Sequence, residues 1–424
     1  MQITVNPSEK DWSELLKRPV ADASSMEKSV RKILQQVKLK GDTAVRKYTA
    51  IYDGVKQRKL EVSAKEIRTA SSSVSKELKE AISIAAKNIR LFHEQQLLPE
   101  YTVETMPGIV CRRKSVGIDK VGLYIPGGTA PLFSTILMLG IPASIAGCNE
   151  IILCSPPGKN GELDPAILFT ASLVGIHRIF KVGGVQAIGA MAYGTASIPQ
   201  VYKIFGPGNQ FVTAAKQLVQ QEGVAIDMPA GPSEVCVLAD KTAHPSFVAA
   251  DLLSQAEHGI DSQVLLVSTS STLVKEVLSQ IKSQLDHLPR KDIAAKALAN
   301  SRAIVVESMD VAMRLVNAYA AEHLIIACDE AEKWGNEVRN AGSVFLGHYT
   351  PESVGDYASG TNHTLPTNGY AKAYSGVSVD SFVKKITFQK LSEAGLKTIT
   401  PTVTTMAEHE GLKAHAEAVR IRFR

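Results

Sequence analysis

The sequence predicts an α/β protein with mostly parallel, doubly wound sheets and helical segments at both ends. From about residue 120 onward, short apolar runs alternate with helical stretches, and Gly-rich turns follow several of the runs. This alternation is typical of parallel sheets covered by helices. A chain of 424 residues is also too long for one ordinary core. We therefore expect at least two domains.

Two apolar stripes predict helices in the first hundred residues. Their spacing of three and four positions places all members of a stripe on one helix face, and Gly41 and Pro99 follow the two stripes as stop signals. Such faces are expected to pack against a core. The stripes consist of Met26, Val30, Ile33, Leu34 and Val37, and of Leu78, Ile82, Ala85, Ile89 and Phe92.

Seven short apolar runs predict buried strands. They fall into two groups, before residue 210 and after residue 253, which indicates two sheet-forming units. The residues from 376 onward read as helical again. The predicted strands are Val121–Ile125, Ile151–Cys154, Ile179–Val182, Tyr202–Phe205, Val264–Val267, Ala303–Val306 and Leu324–Ala327.

Gly-rich turns stand where ligands bind in such sheets, beyond the carboxyl ends of strands. Glycines there let backbone N–H groups approach a phosphate or a sugar. No turn matches the GxGxxG fingerprint, because Gly206 and Gly208 are followed by Phe211 at the third place. The turns favour a nucleotide-sized crevice, with ordinary strand–helix turns as the alternative. They are Tyr124–Gly128, Val182–Gln186, Phe205–Asn209 and Met228–Ser233.

Composition narrows the class of protein. The formal net charge of +5 comes from 47 basic and 42 acidic residues without a basic run, which argues against nucleic-acid binding. Five cysteines form no CxxC pair, and no apolar run reaches bilayer length. Together with an N-terminus that lacks a targeting pattern, this predicts a cytoplasmic protein. Cys111 lies in a polar stretch and has no assigned role.

The segment from Ser353 to Pro366 is the most informative part of the chain. It is rich in Gly, Ser and Thr, nearly lacks large aliphatic side chains, and holds Asp356, Asn362 and His363. A loop that cannot build a core but gathers ligand-type side chains is usually functional. The alternative is a solvated surface loop.

A candidate metal-binding pair stands at the end of a predicted helix that Gly259 breaks. Gln255 and His258 are three residues apart and project from the same face, which suits half of a zinc site. Pairs with this spacing are common, so an ordinary surface pair is the alternative. The residues alone favour Glu257 over Gln255 as the oxygen ligand, because amide ligands to zinc are unusual.

Two further clusters carry acid–base side chains. Glu322 and His323 stand at the start of a predicted strand, where a carboxylate and an imidazole can edge a cleft and share general-base work. A polar connection is the alternative. Near the end of the chain, Glu410 and His415 offer further ligands, with a solvated terminal helix as the alternative.

Taken together, these segments resemble histidinol dehydrogenases over nearly the whole chain. The likeness runs from Val121–Gly128 through Ser254–Gly259 to Gly360–Thr367. It implies two Rossmann-like, doubly wound parallel-sheet domains with helical extensions. The implied division is a helical extension over residues 1–22, a first α/β domain with metal and catalytic residues over 23–120 plus 237–375, a second, cofactor-binding α/β domain over 121–236, and a helical arm over 376–424.

The resemblance also implies roles for individual residues. Zinc ligands fall on Gln255, His258, Asp356 and His415, the last from the other subunit of a homodimer. Catalytic roles fall on Glu322 and His323. Cofactor contacts fall on Tyr124, Gln186 and Asn209. Substrate contacts fall on Ser233, His363 and Glu410, in addition to His323 and the four metal ligands.

The implied reaction is the oxidation of L-histidinol to L-histidine through L-histidinaldehyde, with reduction of two NAD⁺ and one Zn²⁺ per subunit. The two subunits would share their active sites. Three alternatives remain: a related zinc- and NAD-dependent dehydrogenase of another polar alcohol, a zinc hydrolase that uses Glu322 and a metal-bound water, and a nucleotide-binding regulator without catalysis.

Overall fold

The computed structural model describes residues 1–18, 23–127, 131–229 and 231–424, which form two parallel sheets and one small antiparallel sheet. The strands are β1 (Gln2–Val5), β2 (Tyr101–Met106), β3 (Ile109–Gly117), β4 (Lys120–Tyr124), β5 (Glu150–Ser155), β6 (Arg178–Lys181), β7 (Lys203–Phe205), β8 (Ala225–Ile226), β9 (Glu234–Ala239), β10 (Gln263–Ser268), β11 (Arg302–Val305), β12 (His323–Ala327), β13 (Ser343–Leu346) and β14 (Val383–Leu391).

Helices surround these sheets and connect their strands. The helices are α1 (Trp12–Leu15), α2 (Ala23–Lys40), α3 (Asp42–Tyr52), α4 (Ala64–Ser73), α5 (Lys76–Glu94), α6 (Ser134–Ile145), α7 (Pro165–Leu173), α8 (Gly184–Tyr193), α9 (Gln210–Gln221), α10 (Pro245–Ala256), α11 (Ser271–Leu285), α12 (Lys291–Ala299), α13 (Met309–Tyr319), α14 (Ala331–Gly335), α15 (Glu352–Tyr357), α16 (Glu393–His409) and α17 (Lys413–Arg420). None of the helices in the described ranges is long and apolar enough to span a bilayer.

The first parallel sheet has the strand order β6-β5-β4-β7-β8. Its strands are buried on both faces. In β5, for example, Ile152 and Cys154 belong to one apolar cluster and Leu153 to the other. Strands covered on both faces read as continuous apolar runs, and the four strands predicted before residue 210 are confirmed here as β4, β5, β6 and β7.

The second parallel sheet has the strand order β1-β11-β10-β9-β12-β13. Helices α10, α11 and α12 contribute side chains to the cluster on one face, and α13 and α14 contribute to the cluster on the other. The three strands predicted after residue 253 are confirmed as β10, β11 and β12. Two parallel sheets flanked by helices confirm the α/β class.

The start of the chain corrects the helical extension predicted over residues 1–22. Gln2–Val5 is a strand, and it pairs in parallel with β11 at the edge of the second sheet. Its side chains are mostly exposed, so the segment has no apolar run that would predict a strand. Residues 19–22 lie outside the described part of the chain.

The N-terminal helices pack against the first sheet. Val30, Ile33 and Leu34 of α2 share an apolar cluster with Ile152 of β5, and Ile82 of α5 lies in the cluster on the opposite face. This corrects the prediction that residues 23–120 belong with the metal and catalytic residues. An apolar helix face predicts that a helix packs, but it carries no information about which sheet it covers.

Two other predicted boundaries shift. The strand β9 begins at Glu234 and belongs to the second sheet, so the first sheet's unit ends before residue 236. The arm over 376–424 is not helical throughout, because β14 (Val383–Leu391) pairs antiparallel with β3 and forms a small sheet with β2. Cys111 lies in β3, opposite Gln389. Helices α16 and α17 then follow β14.

Candidate active site

The predicted catalytic pair lies buried at the amino ends of β9 and β12. The N–H of Glu234 donates to Glu322 Oε2 at 2.8 Å. The His323 Nδ1 atom lies 3.3 Å from the Glu234 carbonyl oxygen and 3.7 Å from Glu322 Oε2. Because a carbonyl oxygen accepts, this contact places a proton on Nδ1 and turns Nε2 towards the other side of the ring.

Burial and neighbouring charges shift both of these groups. Burial raises the pKa of Glu322 to about 8, against a smaller opposing effect of His323. Burial alone would lower the pKa of His323, but the negative charges of Glu322, Asp356 and Glu352 outweigh it and raise the pKa to about 10. Each group therefore shifts the pKa of the other: His323 lowers the pKa of Glu322, and Glu322 raises the pKa of His323.

The helix α15 carries Asp356 against this pair. Asp356 Oδ1 lies 3.3 Å from His323 Nε2, at ion-pair distance but outside hydrogen-bond alignment. His363 Nδ1 donates to the carbonyl oxygen of Asp356 at 2.8 Å, and Thr135 Oγ1 lies 3.2 Å from His363 Nε2. Desolvation lowers the pKa of His363, which favours the neutral ring. The structure thus brings Asp356, His323 and His363 together.

The segment from Ser353 to Pro366 differs in part from the predicted loop. Its first residues continue α15 (Glu352–Tyr357), and only the remainder lacks regular structure. Asn362 has a structural role there, because its side-chain amide donates to the Met138 carbonyl oxygen at 2.6 Å. Of the ligand-type side chains in this segment, Asp356 and His363 are the ones that face the catalytic pair.

The end of α10 places Gln255 in the interior. Gln255 is fully buried, and within the described ranges neither its Oε1 nor its Nε2 atom has a hydrogen-bond partner. A buried amide without partners costs about 1–3 kcal/mol, so such a group usually has a ligand that satisfies it. Glu257, half-buried at the end of the helix, shows no such unsatisfied requirement. The structure therefore favours Gln255 over Glu257 as the oxygen ligand.

His258 stands just beyond the end of α10 and faces Asp356. Desolvation lowers the pKa of His258, while the charge of Asp356 opposes this shift. Much of the residue's surface is nevertheless open to solvent, so a neutral imidazole is available to a ligand. In the described ranges, no group of three or more His, Cys, Asp or Glu side chains is placed to hold a metal.

Glu410 and His415 are not brought to this site within one chain. Both are exposed, Glu410 at the end of α16 and His415 in α17. These two helices pack on each other, and α16 contacts β14, on the antiparallel sheet. The predicted roles of Glu410 and His415 at this site stay predictions.

Two residues of the site escaped the sequence analysis. Glu352 is buried, and its Oε1 accepts from Ser254 Oγ at 2.8 Å, whereas its Oε2 has no hydrogen-bond partner among the described residues. Burial raises its pKa to about 8. Arg18 binds both carboxylate oxygens of Glu234 at 2.7 and 2.8 Å. Glu352 could have been found from the sequence, because it directly precedes the segment from Ser353 to Pro366. Arg18 lies far from every motif in the sequence, so no sequence pattern pointed to it.

A small cavity of about 50 Å³ opens beside the catalytic pair. Ser233, Glu322 and His363 line it together with Gly206 and Pro207, which belong to the turn after β7. This turn is part of the first sheet's unit, whereas Glu322 belongs to the second. The small cavity therefore joins the carboxyl edge of one sheet to the amino edge of the other.

A large cavity of about 620 Å³ unites the three predicted cofactor residues, Tyr124, Gln186 and Asn209. Gln186 is buried, and neither the oxygen nor the nitrogen of its amide has a hydrogen-bond partner in the described part of the chain. The Tyr124 hydroxyl accepts from the Gly184 N–H at 3.2 Å, and burial raises the pKa of Tyr124 to about 12. Asn209 caps α9, where its Oδ1 accepts from two backbone N–H groups. The volume suits a nucleotide.

The Gly-rich turn after β7 depends on Gly206. Its φ of +124° is unfavourable for residues with a side chain, and a Cβ atom there would lie 2.0 Å from the Tyr124 carbonyl oxygen. The turns after β4 and β6 also contribute to the large cavity, through Gly127 and Gly184. Gly128 and Ala230, which belong to the predicted turns, lie outside the described residues.

Comparison with known proteins agrees with this arrangement. The histidinol dehydrogenase family model matches residues 16–423. The histidinol dehydrogenase of Bacteroides thetaiotaomicron is 60% identical over 423 residues, covering 100% of this chain and 99% of the relative, and that of Xylella fastidiosa is 52% identical, covering 97% and 98%. A crystal structure of histidinol dehydrogenase from Elizabethkingia anophelis is 53% identical, with a TM-score of 0.97 over 100% of this chain and 98% of that one. This chain belongs to the histidinol dehydrogenase family.

Proposed function

We propose that this protein is a zinc- and NAD-dependent dehydrogenase that oxidises L-histidinol to L-histidine through L-histidinaldehyde, the last step of histidine biosynthesis. Family membership supports the substrate. The observation that carries the chemistry is the buried pair Glu322 and His323, of which Glu322 lines a small cavity; the turn after β7 contributes to this cavity and to a nucleotide-sized one. The second cavity has the volume that a nucleotide needs, and the first would receive the reacting end of a small polar substrate.

The topology of the first sheet supports NAD⁺ as the oxidant. In order of appearance, its strands are arranged 3-2-1-4-5, which is the order of a Rossmann-like mononucleotide-binding unit. The large cavity lies at the carboxyl ends of β4, β5 and β7, where the strand order reverses. Ligands of such sheets bind at this point. The unpartnered amide of Gln186 supplies a donor and an acceptor there.

Four side chains are proposed to hold one Zn²⁺ per subunit: Gln255, His258, Asp356 and His415 of the partner subunit. The unsatisfied, buried amide of Gln255 fits this role, as do the neutral imidazole of His258 and the ionised carboxylate of Asp356. When bound, the zinc ion would hold the imidazole and amino nitrogens of the substrate and so act as a template. The exposed positions of Glu410 and His415 support a homodimer in which each arm completes the other site.

In the first oxidation, His323 takes the proton of the alcohol. Its Nδ1 is engaged by the Glu234 carbonyl oxygen, so Nε2 is the accepting atom. As the O–H proton moves to Nε2, the carbinol carbon passes a hydride to NAD⁺, and the alcohol becomes an aldehyde. His363 and Ser233 border the same cavity and would orient the substrate.

In the second oxidation, Glu322 activates a water molecule. Its Oε2 accepts from Glu234 N–H, which leaves Oε1 for the water. A pKa raised to about 8 suits proton transfer near neutral pH. The water oxygen adds to the aldehyde, and the resulting hydrate passes a second hydride to a second NAD⁺. The carboxylate product has then lost four electrons and gained one oxygen.

Product stoichiometry tests this proposal. Two NADH should form per L-histidinol consumed, activity should be lost on chelation, and zinc should restore it. Oxidation of other amino alcohols at a comparable kcat/KM would favour the alternative of a dehydrogenase for another substrate. Absence of NADH formation with any alcohol, together with zinc-dependent ester or amide cleavage, would favour the hydrolase.

A further inference from the structure

The large cavity contains an acidic side chain that none of the roles above uses. Asp53 immediately follows α3 and lines the cavity. Its Oδ2 is buried and has no hydrogen-bond partner among the residues that the structure describes. Burial raises the pKa of Asp53 to about 6, and its charge also contributes to the raised pKa of Tyr124. A buried acceptor that is costly to keep ionised indicates a ligand that supplies donors.

The position of Asp53 indicates which part of a dinucleotide it meets. The reactive end of the large cavity is marked by Asn209, because the turn that contains it also contributes Pro207 to the small cavity beside the catalytic pair. Asp53 lies on the flank formed by the turn after β5. Gln57, just beyond it, donates to the Gly161 carbonyl oxygen at 2.6 Å. Asp53 therefore faces the half of the cavity that would receive the adenosine.

A dinucleotide fold usually supplies a carboxylate to this half from the end of its second strand, where it binds the ribose hydroxyls. Here the second strand is β5, which ends at Ser155 and is followed by Pro156 and Pro157. Of the described residues that line the cavity, Asp53 and Asp164 are the acidic ones. Asp164 is already used, because its Oδ1 accepts from Ala166 N–H at 2.8 Å as the cap of α7.

We propose that Asp53 accepts hydrogen bonds from the adenosine ribose hydroxyls of NAD⁺ and excludes the 2′-phosphate of NADP⁺. The N-terminal helices would thus supply the ribose-binding acid that β5 lacks. A carboxylate is an acceptor only, so it pairs with hydroxyls and repels a phosphate. This matters because Lys159 is exposed on the same flank and would otherwise attract a 2′-phosphate. The inference rests on the proposed use of NAD⁺.

The test compares both nucleotides as oxidants of L-histidinol with the zinc-loaded enzyme. In Asp53→Asn and Asp53→Ser, kcat/KM for NAD⁺ should fall about 10-fold or more, mainly through KM, because lost hydroxyl contacts of this kind cost about 1–3 kcal/mol. The ratio of kcat/KM for NADP⁺ to that for NAD⁺ should rise about 100-fold as repulsion is removed. The value of kcat with NAD⁺ should change less than about twofold, since Asp53 lies away from the reacting carbon.

Asp164→Asn is the matched control, because it removes one negative charge from the same cavity wall. It should leave the nucleotide ratio near that of the wild type. An unchanged ratio in Asp53→Ser, or an equal shift in Asp164→Asn, would overturn the assignment while the proposed function stands. A wild-type enzyme that reduces neither nucleotide would overturn both.

Discussion

His323 Nε2 lies 3.3 Å from Asp356 Oδ1. The imidazole thus stands between the carboxylates of Asp356 and Glu322, and their charges raise its pKa to about 10 in the metal-free chain. At pH 7.5 the imidazole of His323 is therefore protonated, and in this form it cannot accept a proton as a general base. Asp356 contacts His323 and is also a proposed metal ligand. The protonation of His323 and the binding of zinc should therefore be coupled.

Zinc binding should therefore release about one proton per site at pH 7.5, because a cation on Asp356 weakens the charge that holds the proton on His323. Calorimetric titration with zinc in buffers of different ionisation enthalpy measures this release. His323→Gln should still bind zinc but release fewer protons. Equal heats in all buffers for the wild type would contradict the coupling.

The two half-reactions should separate in variants of the catalytic pair. Glu322→Gln should form about one NADH per L-histidinol and accumulate aldehyde, because the alcohol step does not need the activated water. His323→Gln should slow the first oxidation about 10²-fold or more, as typical for loss of a general base, while metal analysis still finds zinc. If Glu322→Gln produces two NADH at the wild-type rate, the assignment of water activation is wrong.

Gln255 should lower the free energy of unfolding of the metal-free protein. Gln255→Met keeps the volume but removes a buried amide without partners, so the free energy of unfolding of the metal-free protein should rise by about 1–2 kcal/mol. The same change should abolish zinc binding. Chemical denaturation and metal analysis measure the two effects, with Glu257→Gln as a control that retains zinc. A destabilised Gln255→Met that still binds zinc would exclude the amide as a ligand.

Asp53 should likewise reduce stability in the absence of nucleotide. Its pKa is about 6 in the folded chain, whereas an aspartate in the unfolded chain has a pKa of 3.8, so between these two pH values the folded state binds more protons than the unfolded state. Stability contributed by the protonated carboxyl is then lost as pH rises from 4 to 6. Partial solvent access limits the effect to about 1 kcal/mol. Asp53→Asn should raise Tm at pH 7.5 but not at pH 4, and an unchanged Tm at both would contradict the raised pKa.

Mixed dimers test the shared site. One subunit with His415→Ala and the other with His258→Ala leaves one site with an intact ligand set if the arm serves the partner. Co-expression with two affinity tags isolates such dimers, and about half of the wild-type activity is the upper bound. Each homodimeric variant serves as the inactive control. Inactive mixed dimers would contradict the exchange of arms.

Most strands that are buried on both faces were predicted from the sequence, but β9 (Glu234–Ala239) was missed although all of its residues are buried, and the exposed strands were missed as well. Runs such as Ile151–Cys154 reveal themselves because every residue is apolar, whereas the edge strand Gln2–Val5 and the exposed strand Val383–Leu391 carry no such pattern. Site residues next to a Gly-rich or acid–base motif were found from the sequence. Asp53 was missed because its partner is a cavity, formed only when α3 packs beside the turn after β5.

Arg18 is linked to Glu322 through Glu234. Its guanidinium binds both carboxylate oxygens of Glu234, and the N–H of Glu234 donates to Glu322 Oε2. Removing the first eighteen residues would delete an edge strand and also Trp12 and Leu16, which are buried in an apolar cluster of the second sheet. It would also leave the carboxylate of Glu234 without its ion-pair partner beside Glu322 and raise the pKa of Glu322 further. The amino-terminal segment therefore influences the pKa of Glu322 from a distance, and it should be left intact when affinity tags are placed.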